Sequence, residues 1–430
     1  MHILKKIVVT ILTGEARVTL ARTKPKIIAI TGSVGKTTTK DAIFAAISGQ
    51  LHVRKSNKSF NSEIGVPLAV LGLENGWSDP LKWIMNIVRG FLLIFFPDNY
   101  PRWLVLEVGA DRPGDIETIA RWLRPDIAVI TAVPEVPVHV EFFDSPEAVL
   151  REKRQLAEHL KPGGKLLING DDPRLSDLKS DFRGTTTTYG MEENNDFYAS
   201  HEEITYDDDG PSGMRFRIDH AGSSVPISIK GSLGAPRIYA ALAALSCASM
   251  LGIDLVSASE ALSKWPAPAG RMHLLKGVRN SVVIDDTYNS SPAAALAALD
   301  TLKSVRTKGR KIAILGDMLE LGKYANDAHK QVGERAAQCA DMLITVGFRA
   351  RLMAEAALDA GMNQENVRSY EQGESERAGL ELEREIKTHD IILAKGSQSI
   401  RMEKAVASLI AEPKKAAELL VRQENEWWIR

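Results

Sequence analysis

The chain has 430 residues, a formal net charge of −1 and an apolar fraction of 44%. That length exceeds one ordinary domain, and the apolar and charged fractions are those of a soluble globular protein. The near-neutral balance excludes a global basic field of the kind nucleic-acid binders use, so no nucleic-acid partner is expected. Only two cysteines occur, Cys247 and Cys339, both in apolar, helical-looking stretches. They read as buried small side chains rather than a disulfide, which fits a cytoplasmic setting, and no Cys/His cluster suggests zinc.

The N-terminus "MHILKKIVVTILTGEA" has a basic start and a short apolar run, without the h-region and cleavage site of a signal peptide. Residues 1–25 are too few for a domain. Ile27, Ile28 and Ile30 then read as a short buried strand, followed by "TGSVGKTTTK" at 31–40. Gly32 and Gly35 let the backbone turn tightly, so that N–H groups around Ser33 and Val34 point at an anion. From Thr37 and Thr38 onward the pattern is helical, with its positive end facing the same anion. Lys36 would reach the β- and γ-phosphates of a nucleotide, and the Thr37 hydroxyl would ligate Mg²⁺. The loop is a variant, because Ile30 stands where the common motif has its first glycine.

Residues 81–96, "LKWIMNIVRGFLLIFF", fall short of the roughly 20 residues of a spanning helix, and Asn86 and Arg89 interrupt them. As a helix they stack Trp83, Ile87, Val88, Phe91, Leu92 and Phe95 on one face. That face is either buried against the domain or offered to a membrane surface or partner.

Further strands are expected at 103–110, 127–133 and 165–170, with helices between, which makes a parallel sheet with crossover helices. Residues 197–230 alternate around a turn-rich "DDDGPSG" and read as an antiparallel excursion. The Ala-rich helix "RIYAALAALSCASML" follows, and "KWPAPAGRM" at 264–272 marks a linker. A second α/β unit has strands at 281–288, 311–318, 342–347 and 390–396, without a dinucleotide fingerprint after the first. The expected organisation is therefore α/β: a central P-loop parallel-sheet ATPase domain over 26–267, then a Rossmann-like α/β domain over 268–430.

Several polar groups fall at the carboxyl ends of the first unit's strands, the edge where parallel sheets bind ligands. Glu107 ends one strand, His139 and Glu141 follow another, and Lys153 lies in the next helical stretch. A carboxylate and an imidazole beside a phosphate loop suggest a metal site next to ATP. Taken singly, His139 also fits a hydrogen-bonded loop histidine, and Lys153 a solvated helix lysine.

The ordered blocks "ITGSVGKTT", "KSFNSEIGVPL", "LEVGADRPGDI", "VHVEFF…REK", "LLINGDDP", "GRM", "IDDTYNSSP", "ILGDMLELG…H…VG" and "LAKGSQSIRMEK" resemble the Mur ligases, ATP-dependent amide ligases of peptidoglycan synthesis. The likeness spans about residues 26–410, and its last three blocks resemble the members that add D-alanyl-D-alanine to a UDP-N-acetylmuramoyl-tripeptide. It implies that ATP converts the donor's terminal carboxylate to an acyl phosphate, which the acceptor amine attacks. It also implies that Lys36 and Thr37 hold phosphate and Mg²⁺, that Glu107 and His139 ligate a second Mg²⁺, and that Lys153 is carbamylated. Arg271 matches a phosphate-contacting arginine and Asp286 an acidic residue on the ribose. Asn61 and Ser62 lie in the donor-contacting block, while Asn289, Asp317 and Ser397 fall on the substrate side of the second unit.

Two departures stand out. The family usually carries an N-terminal domain holding the UDP-sugar, whereas about 30 residues precede the loop here, so the donor's UDP end has no obvious seat. The family's His-Asn-x-x-Asn pattern, which serves adenine, is replaced by "GAPRIYAAL", with Ala235, Pro236 and Tyr239 in those places. Adenine would then stack on Tyr239 or meet Asn169. Competing readings are a related ligase for another amino-acid or poly-amino-acid substrate, and a non-catalytic ATP-binding scaffold of a wall-synthesis complex. The "IDDTYNSSP" and "ILGDMLELG" blocks argue against the first, and the presence of Glu107, His139 and Lys153 together argues against the second.

Overall fold

The computed structural model describes residues 2–57, 59–424 and 427; Met1, the Lys58 of the "KSFNSEIG" block and 425, 426 and 428–430 lie outside it. The chain opens with α1 (His2–Thr23) and passes through β1 (Lys26–Thr31) and the Gly-rich turn into α2 (Lys36–Ile47). Then come β2 (Val53–Lys55), α3 (Gly65–Leu71), α4 (Pro80–Phe95), β3 (Trp103–Glu107), α5 (Asp115–Leu123), β4 (Ile127–Ile130) and α6 (Pro146–Glu158). β5 (Lys165–Asn169), α7 (Ser176–Asp181) and β6 (Thr185–Gly190) lead to three longer strands, β7 (Phe197–Asp207), β8 (Gly210–His220) and β9 (Ser223–Lys230). The unit ends with α8 (Ala235–Met250) and α9 (Leu255–Ser263).

These strands form one sheet in the order β2-β3-β1-β4-β5-β6-β7-β8-β9. Pairing is parallel as far as β7 and antiparallel across β7, β8 and β9. The antiparallel excursion is thus an extension of the main sheet rather than a layer of its own. The apolar run of β1 is continuous because both faces are covered. Ile28 and Ile30 face α2 and α8, while Ile27 and Ala29 face the side of α1, α3 and α5. β1 lies between β3 and β4, so the sheet's strand order reverses at the Gly-rich turn. A crevice at such a reversal is where open α/β sheets bind ligands.

The second unit contains β10 (His273–Lys276), β11 (Val282–Asp286), α10 (Pro292–Ser304), β12 (Lys311–Gly316), α11 (Ala325–Cys339), β13 (Met342–Val346), β14 (Val367–Tyr370) and β15 (Ile391–Lys395). Its sheet runs β10-β11-β15-β12-β13-β14, antiparallel only at β10–β11. Asp286 and Lys395 end adjacent strands, and 316–317 ends the next, so this sheet also presents its carboxyl edge as a cluster of polar groups.

Of the two readings of residues 81–96, burial of the apolar face against the domain fails for most of the stripe. α4 buries Asn86 and Gly90, while Val88, Phe91, Leu92 and Phe95 of the expected apolar stripe are exposed and only Trp83 and Ile87 are half-buried. Gly90 sits on the seam because α1 passes close: a Cβ there would lie 2.1 Å from Glu15 Oε2. No helix among the described residues is long and apolar enough to cross a membrane.

Candidate active site between the two sheets

The Gly-rich turn is held by main-chain and threonine contacts that use up the two N–H groups, of Ser33 and Val34, expected from the sequence to meet an anion. Ser33 and Val34 both donate to the Ala132 carbonyl oxygen, at 2.9 and 3.2 Å. Gly32 has φ +138°, and a Cβ on it would lie 2.0 Å from Thr131 Oγ1, so no other residue fits. Gly35 takes φ +87° at the N-cap of α2 and lets the first helical turn point into the cleft. Lys36 Nζ donates to the Gly32 carbonyl oxygen at 2.8 Å. Burial holds its ammonium below the ordinary lysine value, opposed in part by Glu107.

Glu107 is 1% exposed and both its oxygens are engaged. Thr37 Oγ1 donates to Oε2 at 2.8 Å and Asn61 Nδ2 donates to Oε1 at 2.9 Å. Two hard oxygen donors thus sit side by side at the positive end of α2, a donor set that suits Mg²⁺. His139 has a left-handed backbone, φ 67°, and its Nδ1 lies 2.7 Å from Glu320 Oε2 across the cleft, with Nε2 3.8 Å from Asp111. Glu320 is held below the usual carboxylate range by this contact. Among the described residues no three His, Cys, Asp or Glu side chains converge as a ready metal cluster.

Lys153, on α6, is 3% exposed. Burial first, and the charge of Lys36 second, bring its amine down to about 7. The solvated-lysine reading therefore fails for this residue.

The far wall comes from the second sheet. Arg271 lies over the Tyr288 ring at 4.0 Å, and Tyr288 shares a hydrogen bond with Ser59 at 2.6 Å, tying the two units together. Asp286 accepts from Met272 N at 3.1 Å and from Lys395 Nζ at 2.6 Å. The resulting cleft of about 310 Å³ brings together the 33–38 loop, Asn61, Glu107, His139, Arg271, Asp286 and Asn289.

Residues 89–248 match the Mur ligase middle domain, and residues 270–398 match the Mur ligase, glutamate ligase domain. The UDP-N-acetylmuramoyl-tripeptide–D-alanyl-D-alanine ligase of Bacillus subtilis is 30% identical over 407 residues, covering 94% of this chain and 80% of that one. The chain belongs to the Mur ligase family. Among solved structures, the MurF ligase from Thermotoga maritima in complex with ADP shares the fold, with a TM-score of 0.77 at 23% identity over 96% of this chain and 84% of that one. The folylpolyglutamate synthase of Mycobacterium tuberculosis shares it too, at TM-score 0.66 and 15% identity, over 95% and 96% of the two chains.

In this Mur ligase several expected residues stand back from the cleft. Asn169 is buried and its side-chain oxygen accepts from Asp171 N at 3.1 Å, while Tyr239 donates to Asp171 Oδ2 at 2.8 Å. Neither lines the cleft; Pro236 and Arg237, at the start of α8, do. Asp317 Oδ1 accepts from Ala350 N at 2.6 Å, and Ser397 Oγ accepts from Leu319 N at 2.9 Å. Both are buried and hold loops at the strand ends. Ser62 is likewise turned inward, with Oγ 3.4 Å from Gly65 N.

Three cleft residues were missed from sequence. Lys395 and Tyr288 sit inside quoted blocks but carry no motif signal by themselves. Arg237 is 1% exposed, stacks on Trp265 at 3.3 Å, and has Nε and Nη1 without partners among the described residues. Burial lowers its pKa to about 9. The available signal was a lone cation in the apolar run "APRIYAAL".

Proposed function

We propose that this Mur ligase acts in the cytoplasm, using ATP to join D-alanyl-D-alanine to the terminal carboxylate of a UDP-N-acetylmuramoyl-tripeptide-type donor. ADP and phosphate are the other products. The observation that carries this reading is the 30% identity to a ligase of that name along 94% of the chain. The cleft's chemistry agrees with it. A carboxylate becomes electrophilic only when one oxygen is made a leaving group, here by phosphorylation. Lys36 and the N–H groups of the first turn of α2 would stabilise the charge that builds on the transferred phosphoryl.

Mg²⁺, when bound, would neutralise phosphate charge beside Thr37 and Glu107. A second ion would use Glu107, His139 and a carbamylated Lys153. An amine near pKa 7 supports that modification, since a substantial neutral fraction is available to attack CO₂. Nitrogen forms the new bond to carbon, a proton leaves, and the cation becomes an anion. Asp286 and Arg271 would position ribose and phosphate, and Asn61 the donor. Asn289 would face the acceptor, while Asp317 and Ser397 would shape the acceptor side through the loops they hold. The apolar face of 81–96 would supply a contact surface apart from this chemistry.

The deciding experiment measures phosphate release from ATP and Mg²⁺ with UDP-N-acetylmuramoyl-tripeptide, with and without D-alanyl-D-alanine. Release that needs both substrates, with a ligated product by mass, is expected. Release supported by glutamate instead would reassign the acceptor.

A further inference from the structure

α4 reverses the usual helix pattern. Its buried positions are Asn86 and Gly90, and its exposed face carries Leu81, Ile84, Met85, Val88, Phe91 and Phe95. Asn86 Nδ2 donates to the Glu74 carbonyl oxygen at 2.8 Å, which fixes the helix with this face outward. α1 packs alongside and exposes Ile7, Ile11 and Val18. At about 100° per residue these three fall on one stripe, flanked on one side by Glu15, which meets α4, and on the other by Arg17. The two packed helices thus each expose an apolar stripe, more than the scattered single residues normal on a soluble protein.

Charge chooses the occupant. Lys5, Lys6, Arg17, Arg22, Lys82 and Arg89 lie on these two helices against the single carboxylate of Glu15; Lys5 pairs with Glu63 at 3.1 Å, and the rest leave an excess of positive charge in a chain whose net charge is −1. Glu15 is itself buried, and its burial raises its pKa to about 7. Val18 also belongs to the wall of an open basin of about 960 Å³ between α1 and α5, and that wall holds five cations and no carboxylate. Lys161 is paired with Asp126 and Arg121 with Glu117. Arg17, Lys24 and Arg124 leave positive charge there to meet an anion. A protein partner or second copy would need a matching acidic surface; an anionic bilayer offers apolar depth and phosphate together.

We propose that α1 and α4 form an in-plane membrane anchor, the apolar face lying in the interface of an anionic phospholipid bilayer and lipid phosphates seated at the Arg17–Lys24–Arg124 basin. The anchor does not depend on the ligase reading, and it would hold the cleft near membrane-linked substrates or partners.

The test is co-sedimentation of the full chain with vesicles of phosphatidylcholine containing phosphatidylglycerol, across a salt series. The wild type is expected to pellet with anionic vesicles, less so at high salt. A combined Ile84→Asn, Phe91→Ser, Phe95→Ser variant is expected to bind at least about tenfold more weakly, since each change removes buried apolar area. Arg17→Gln with Lys24→Gln should lower binding to anionic vesicles severalfold and flatten the salt dependence. Turnover with soluble donor should be the same in all of them. Wild-type protein left in the supernatant at low salt would overturn the proposal. So would vesicle binding unaffected by the triple variant, or a dimer that the triple variant dissolves without any vesicle binding.

Discussion

The cleft and the α1–α4 face both place side chains where their polarity argues against them, but in opposite senses. Around the cleft, Glu107, Arg237 and Lys395 of its lining, and Lys153 on α6 outside that lining, are charged groups taken out of water. On the α1–α4 face, Phe91, Phe95 and Leu81 are apolar groups left in it, over a seam that buries Asn86 and Glu15. Glu107 and Lys395 stand at strand ends, where partners converge: Glu107 has Thr37 and Asn61, and Lys395 has Asp286. Both places keep unpartnered groups among the described residues: Arg237 Nε and Nη1 in the cleft, Glu15 Oε2 in the seam. One exception to polarity is organised around small anionic substrates, the other around a surface outside the molecule.

The sharpest way to break the first half of that contrast is Lys36→Ala. Its ammonium, which rests on the Gly32 carbonyl oxygen, is the one cation of the 33–38 loop and on the proposed reading meets the transferred phosphate, so turnover should fall about a thousandfold or more. Phosphate release under saturating substrates measures it, and full activity would remove the mechanism. Lys153→Gln should cost about a hundredfold, because neither a carbamate nor its charge can form. The pH dependence carries a sign. With the amine near 7, protonation below that pH blocks attack on CO₂, so activity should fall on the acid side and recover above it. A carbon-13 carbamate signal from labelled bicarbonate should follow the same course and be absent in Lys153→Gln.

Much of this arrangement was legible in the sequence, and the exceptions are instructive. The Gly-rich turn, Glu107 and the second-unit strands announced themselves because apolar runs end abruptly in polar residues. Four strands went unseen, β2, β6, β10 and β14. β6 is "TTTTYG", whose first residues are exposed or half-buried, and β10 and β14 are four-residue edge strands. Periodicity over so few residues separates nothing. The functions assigned to Asn169, Asp317 and Ser397 were read from block position, which fixes the loop but not the direction of a side chain. Arg237 escaped for the converse reason, its importance lying in unpaired donors that only the packed structure reveals. For α4, the sequence located the apolar stripe and left its direction open. An apolar stripe marks a face to be removed from water without naming the partner that removes it.

The seam can be sharpened through Glu15. Its carboxyl is raised from 4.5 to about 7 by burial. The native chain therefore binds more protons than the unfolded one between those values, and stability should fall as pH rises from about 4.5 to about 7. Glu15→Gln removes the ionisation and should raise stability above pH 7 by about 1–2 kcal/mol, or about 2–4 °C in Tm. At pH 4.5, where the carboxyl is protonated in the native state, the variant should gain almost nothing. An equal gain at both pH values would mean that packing, not charge, sets the effect.

The smallest expected effect discriminates most directly between a covered and an open α4 face. Phe91 and Phe95 are 54% and 50% exposed, and their rings lie 5.0 Å apart. Buried phenylalanines cost about 3–5 kcal/mol each when truncated. On an open face Phe91→Ser and Phe95→Ser should each stay within about 0.5 kcal/mol, with up to about 1 kcal/mol more for losing the ring pair in the double variant. Denaturant unfolding without lipid reads this. A loss of core size would mean that a segment of the chain covers the face in solution, and the membrane anchor would lose its surface. A near-neutral double variant that still releases phosphate normally would leave the exposed Phe91–Phe95 pair with no structural use inside the molecule, which is the condition an external apolar phase would satisfy.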